Sequence, residues 1–126
     1  MEIKMHFDHF NINVTDIETS VKFYKDNLGL EPTGKEIVAA DGSYRIKYLS
    51  SPGNDFRLEL TWLRDHKGPY ELGENESHLA LRYEGDYEEI HEFHKRQGVI
   101  CFENPTMGIY FISDPDDYWI EILKKK

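Results

Sequence analysis

One cysteine among 126 residues, Cys101, excludes an internal disulfide framework and suits a reducing compartment. No apolar run approaches the roughly 20 residues needed to span a bilayer, and the opening Met1-Glu-Ile-Lys-Met-His-Phe-Asp8 has no apolar core of the kind a secretory leader carries. Positive charge is scarce. Lysine and arginine number 15 against 24 aspartates and glutamates, for a formal net charge of −9, and the one basic cluster is Lys124-Lys-Lys126. That balance opposes phosphate backbones and anionic lipid, so neither nucleic acid nor membrane is an expected partner. Together these absences predict a soluble, cytoplasmic protein. Cys101, set in the apolar Val99-Ile-Cys-Phe102, is expected to be a buried packing residue rather than a nucleophile.

Alternation and helical periodicity divide the chain into two similar halves. His9-Phe-Asn-Ile-Asn-Val14 alternates polar with apolar, which on a strand sends Phe10, Ile12 and Val14 to one face and His9, Asn11 and Asn13 to the other. Thr15-Asp-Ile-Glu18 reads as a capping box, with Thr15 as cap, opening a helix that carries Ile17, Val21, Tyr24 and Leu28 and stops at Gly29. Strands follow over residues 31–39 and 44–49, around the turn signal Asp41-Gly42, and over 56–62. The second half repeats the order: a strand from His78, a helix opening at Asp86 and stopping at Gly98, then strands over 101–102, 109–113 and 118–124. The fold class predicted is α+β, two β-α-β-β-β modules in one domain covering 1–126. Module one spans about 5–64, a linker containing Gly68-Pro69 about 65–76, and module two about 77–124. Halves of about sixty residues would be marginal alone, so the two are expected to share a core.

Four residues stand at matching places in the halves. Each opens on a histidine, His9 or His78, and closes on a glutamate, Glu59 or Glu121, and all four lie on strand faces opposite the aliphatic residues. Taken singly, a strand histidine is more often structural and a glutamate more often solvated. The doubled correspondence is what makes them candidate ligands. Two imidazoles and two carboxylates suit a borderline divalent cation, which also relieves repulsion between the carboxylates; Zn²⁺, Ni²⁺, Co²⁺, Mn²⁺ and Fe²⁺ all remain open on donor type alone. A carboxylate at such an ion can also act as a base. His91 and His94 are three apart on the second helix and are read as helix-surface and helix-packing residues, since no repeat places a carboxylate beside them.

From about Phe7 to about Leu123 the sequence resembles the vicinal oxygen chelate superfamily and, within it, bacterial glyoxalase I (lactoylglutathione lyase). The likeness is carried by His9, by Thr15 to Leu30 with its Phe23-Tyr24 and Leu28-Gly29, by Leu58-Glu-Leu-Thr61, Tyr70-Glu-Leu-Gly73 and His78-Leu-Ala-Leu81, and by Asp114-Pro-Asp-Asp-Tyr-Trp-Ile-Glu121. The helix and the Asp-Pro-Asp segment mark the superfamily, and the full His, Glu, His, Glu set marks glyoxalase I. Glu59 is the discriminating residue: thiol transferases and extradiol dioxygenases of the superfamily use three ligands, and epimerases place Gln there.

The resemblance implies a cup-shaped mixed sheet with helices outside, commonly built across a homodimer. It implies Ni²⁺ or Co²⁺ in preference to Zn²⁺, and as substrate a small-molecule thiol adduct, the methylglyoxal hemithioacetal, isomerised to the D-lactoyl thioester. Glu121 would be the base. Glu59 would stay on the metal or serve the opposite stereoisomer. Asn13 and Arg82 would help bind substrate, and Trp119 would keep the site dry. The chain departs from the glutathione-using pattern at Asn13, where many relatives have Arg, and at Leu63, where Asn is expected, so the identity of the thiol stays open. The rival readings are another metal-dependent enzyme of the superfamily, a thiol transferase or epimerase, and a metal-free protein that binds a small molecule, as bleomycin-type relatives do.

Overall fold

The computed structural model describes all residues, 1–126. Two compact units divide between Tyr70 and Glu71.

In the first unit, β1 (His9–Asn13) leads into α1 (Ile17–Leu28), followed by β2 (Glu31–Val38), β3 (Tyr44–Ser50) and β4 (Arg57–Leu63). The sheet order is β1-β4-β3-β2, with β1 parallel to β4 and the remaining pairs antiparallel. The second unit repeats this with β5 (Leu79–Arg82), α2 (Tyr87–Gln97), β6 (Ile100–Asn104), β7 (Ile109–Ser113) and β8 (Trp119–Leu123), in the order β5-β8-β7-β6. A parallel pair needs a crossover, and in each unit the helix supplies it. The β-α-β-β-β repeat is as predicted.

The aliphatic faces form the cores. Ile12, Leu49, Leu58 and Leu60 are buried in unit one with Ile17, Tyr24 and Leu30, and Ile112, Ile120 and Ile122 are buried in unit two with Tyr110. Phe10 belongs to the aliphatic face by parity but is 44% exposed, because β1 is an edge strand and Phe10 lies near its free end.

Three sequence expectations need correction. The α1 cap is Asp16, not Thr15: Asp16 has extended backbone and its carboxylate accepts from the Thr19 N–H at 2.9 Å. The buried stripe of α1 is accordingly Ile17, Ser20, Tyr24 and Asn27, with Val21 and Leu28 only half-buried. Cys101 is exposed. On β6 the pairing shifts from Ile100↔Ile112 to Phe102↔Phe111, so Cys101 is the extra residue of a bulge and is turned out of the alternation. Its thiol is nonetheless desolvated enough to sit above its ordinary pKa, which disfavours the thiolate. Finally, a carboxylate does reach His91, that of Glu103 on β6.

Both helices end as predicted at a left-handed glycine, Gly29 with φ 67° and Gly98 with φ 71°. The second core carries a polar pair: His94 and Tyr110 are fully buried, with His94 Nδ1 2.7 Å from the Tyr110 hydroxyl. Burial pushes that phenol well above its usual range.

Candidate metal centre

Strand register explains how each unit brings a histidine to a glutamate. On the parallel pair β1–β4, Asn11 lies beside Glu59, and His9 is two residues earlier on the same face. On β5–β8, Ala80 lies beside Glu121, and His78 is two residues earlier. The offset is the same in both. His9 Nε2 stands 3.5 Å from Glu59 Oε2, and His78 Nε2 stands 3.1 Å from Glu121 Oε1. The two glutamate side chains are 13% and 17% exposed and the two histidines 37% and 38%, so each pair has a sheltered carboxylate and an imidazole edge that an ion can reach.

The surroundings of His9 orient it. Its Nδ1 lies 2.6 Å from Asp8 Oδ2, which accepts from it, and this contact turns Nε2 toward Glu59. The bond from His9 and then that from Arg57, at 2.8 Å, hold the exposed Asp8 carboxyl below its ordinary pKa. An imidazole whose far nitrogen is fixed by a carboxylate is the usual arrangement of a metal-ligating histidine. Nitrogen and oxygen donors without thiolate fit a borderline divalent ion, so the residues present suit such a metal. No group of three or more His, Cys, Asp or Glu side chains is placed to hold a metal ion within the chain, and each unit brings together one repeat-related imidazole and carboxylate.

Sequence reasoning missed the residues that frame these pairs. Tyr48 on β3 is in register with Glu59, and its hydroxyl donates to Glu59 Oε2 at 2.5 Å. That bond first, and then burial, raise the phenol's pKa, so it keeps the proton it donates. The Arg57 guanidinium lies over the Tyr48 ring at 4.1 Å, and the ring meets His9 edge-on at 5.7 Å. Phe111 occupies the equivalent place on β7, in register with Glu121, and meets His78 edge-on at 5.0 Å. The signal available was parity: Tyr48 precedes the apolar Leu49, and Phe111 stands between Tyr110 and Ile112.

Beside His78 a cleft of about 320 Å³ is lined by Phe111, Trp119 and residues 74–77. Trp119 stacks on Phe102 at 6.1 Å and leans on Phe111 at 5.4 Å. Two non-glycine residues with positive φ, Asn75 at 55° and Asp117 at 72°, are tied by a 2.9 Å bond from the Asn75 side chain to the Asp117 carbonyl. Asp114, 4% exposed, accepts from the N–H groups of Asp116 and Tyr118, and this turn delivers β8 with Glu121. Of the predicted substrate contacts, Asn13 accepts from Asn11 at 2.9 Å, and Arg82 donates to the Lys124 carbonyl at 2.7 Å from an exposed position.

Paired β-α-β-β-β units, each closing a His/Glu pair on the face opposite its core, define the class of fold. Residues 6–122 match the Glyoxalase/Bleomycin resistance protein/Dioxygenase superfamily, and the chain belongs to that family. A probable lactoylglutathione lyase of Synechocystis sp. is 29% identical over 125 residues, covering 92% of both chains. A lactoylglutathione lyase of Neisseria meningitidis serogroup A is 27% identical, over 97% of this chain and 92% of that one. Among solved structures, the trypanothione-dependent glyoxalase I of Leishmania major superposes with a TM-score of 0.83 at 27% identity, covering 96% of this chain and 87% of that one. No helix is long and apolar enough to cross a membrane.

Proposed function

We propose that the chain is a metal-dependent glyoxalase I-like lyase that isomerises the hemithioacetal of methylglyoxal and a low-molecular-weight thiol to the D-lactoyl thioester. The observation that carries the reading is the pair of half-sites, His9 with Glu59 and His78 with Glu121, set by the same strand offset. Similarity to lactoylglutathione lyases over nearly the whole chain supports it. Two copies in a homodimer, module one of each meeting module two of the other, would join the halves. His9, Glu59, His78 and Glu121 would then hold one divalent cation, Ni²⁺ or Co²⁺ in preference to Zn²⁺. When bound, that ion supplies positive charge beside substrate oxygens that turn negative during the reaction.

The chemistry asked of the protein is a proton transfer between neighbouring carbons. Glu121 removes the hydrogen from the carbon bearing sulfur and hydroxyl, and returns it to the adjacent carbon. The hydroxyl proton passes between the two substrate oxygens, so atoms and electrons balance. Glu121 Oε1 stands against His78, which leaves Oε2 as the oxygen that takes the proton. His9, fixed by Asp8, and His78 keep their Nε2 atoms toward the site. Phe111 and Trp119 wall the cleft with apolar surface and exclude water, which protects the carbanion-like charge from stray protonation. Arg82 has donors beyond the one on Lys124 to offer a thiol's carboxylate.

The test is product analysis with methylglyoxal and a panel of thiols, glutathione and bacillithiol included, on metal-free and Ni²⁺-reconstituted protein. D-lactoyl thioester formed only after reconstitution is the expected result. Metal retained without that product from any thiol would turn the assignment to a transferase or epimerase. Failure to hold any metal after reconstitution would turn it to a metal-free binding protein.

A further inference from the structure

The two glutamates are related by the repeat, so their different duties need a physical cause. We propose that Tyr48 is a positioning residue for Glu59, and that the exchange of Tyr48 for Phe111 between the modules fixes Glu59 as a passive ligand while leaving Glu121 free to move as the base. The inference rests on the ligand set proposed above.

Register makes the comparison strict: Tyr48 lies beside Glu59 on β3–β4, and Phe111 lies beside Glu121 on β7–β8. The two rings stand at one place in two copies of one motif and differ by a hydroxyl. In module one that hydroxyl donates to Glu59 Oε2 at 2.5 Å, a charge-assisted bond of the stronger kind. The donor is itself held. Arg57 lies over the ring at 4.1 Å and is tied to Asp8 at 2.8 Å, and Asp8 is tied to His9 at 2.6 Å. The chain Asp8, Arg57, Tyr48, Glu59 therefore locks one ligand to the element that carries the other. In module two Phe111 gives Glu121 no donor, and the polar contact of Glu121 is His78 at 3.1 Å. A base must leave its resting contacts to reach a carbon-bound proton and return, and a single contact at 3.1 Å hinders that less than a hydroxyl held at 2.5 Å by its own anchored ring.

Three readouts decide the matter. Tyr48→Phe, which removes one oxygen, should weaken Ni²⁺ binding to metal-free protein about 10- to 100-fold by calorimetric titration, the range seen when a ligand's orienting partner is lost. In metal-free protein, the thermal midpoints of Tyr48→Phe, Glu59→Gln and the double variant should be non-additive, because the two side chains share one bond. Phe111→Tyr should retain Ni²⁺ and KM while kcat falls at least tenfold, since it gives the base the restraint its twin carries. Unchanged Ni²⁺ affinity in Tyr48→Phe, additive midpoints, or unchanged kcat in Phe111→Tyr would each overturn the proposal. A wild-type protein that held no Ni²⁺ would sink the proposed function instead, and the metal-free cycle alone would then decide whether Tyr48 holds Glu59.

Discussion

Neutralising the Glu121 carboxylate separates the two duties proposed for it, ligand and base. Glu121→Gln keeps a side-chain oxygen that can face His78 but cannot accept a proton from carbon. Turnover is expected to fall by about 10²- to 10⁴-fold, the contribution of a positioned general base, while elemental analysis still finds metal. Undiminished turnover would remove Glu121 as the base. The closeness of His9 to Glu59 and of His78 to Glu121 was legible at this scale because the repeat writes the pair twice, a histidine where one strand begins and a glutamate on the closing strand, with matching parity. Tyr48 was not legible. Parity in Tyr44-Arg-Ile-Lys-Tyr-Leu-Ser50 sets it opposite Leu49, but nothing there joins it to Glu59 until β3 is set in register against β4 and its hydroxyl falls on that carboxylate.

Elements owe their boundaries to caps and bulges that composition shows only in part. Thr15 and Asp16 are both good caps and stand side by side, and backbone geometry gives the role to Asp16. Asp16→Ala should therefore cost about 1 kcal/mol of stability, and Thr15→Ala clearly less, measured by denaturant unfolding; equal losses would contradict the assignment. Cys101 escaped prediction for a related reason, since an alternating run reads as an unbroken strand until pairing reveals the extra residue. Against α2, the buried Tyr110 has its pKa raised in the folded state relative to an ordinary value of 10.0. A group raised on folding contributes stability fully below its unfolded pKa and loses it as pH rises toward the folded one. The unfolding midpoint should thus decline above about pH 10, and Tyr110→Phe should flatten that decline, with Tyr48, Tyr87 and the Cys101 thiol, also raised, accounting for what remains. A midpoint in Tyr110→Phe that falls as steeply as in the parent would show that this phenol does not govern the alkaline limb.

For the molecule as a whole, the sequence carried the fold class well: two helices and eight strands in repeated order. What it could not carry is assembly, because each His/Glu pair is a local product of its own sheet, and joining two pairs is a property of surfaces. Sedimentation of the native protein should give twice the 14.9 kDa chain mass; a monomer that is fully active would contradict the joining of halves across a dimer. The most direct test is the Ni²⁺ content of the wild type after equilibrium dialysis, set against His9→Ala, Glu59→Ala, His78→Ala and Glu121→Ala. One ion per chain in the wild type, with weakened retention in all four variants whichever module is altered, is the expected result. If substitutions in one module left the metal affinity of the other untouched, two imidazoles and two carboxylates would not be serving one ion.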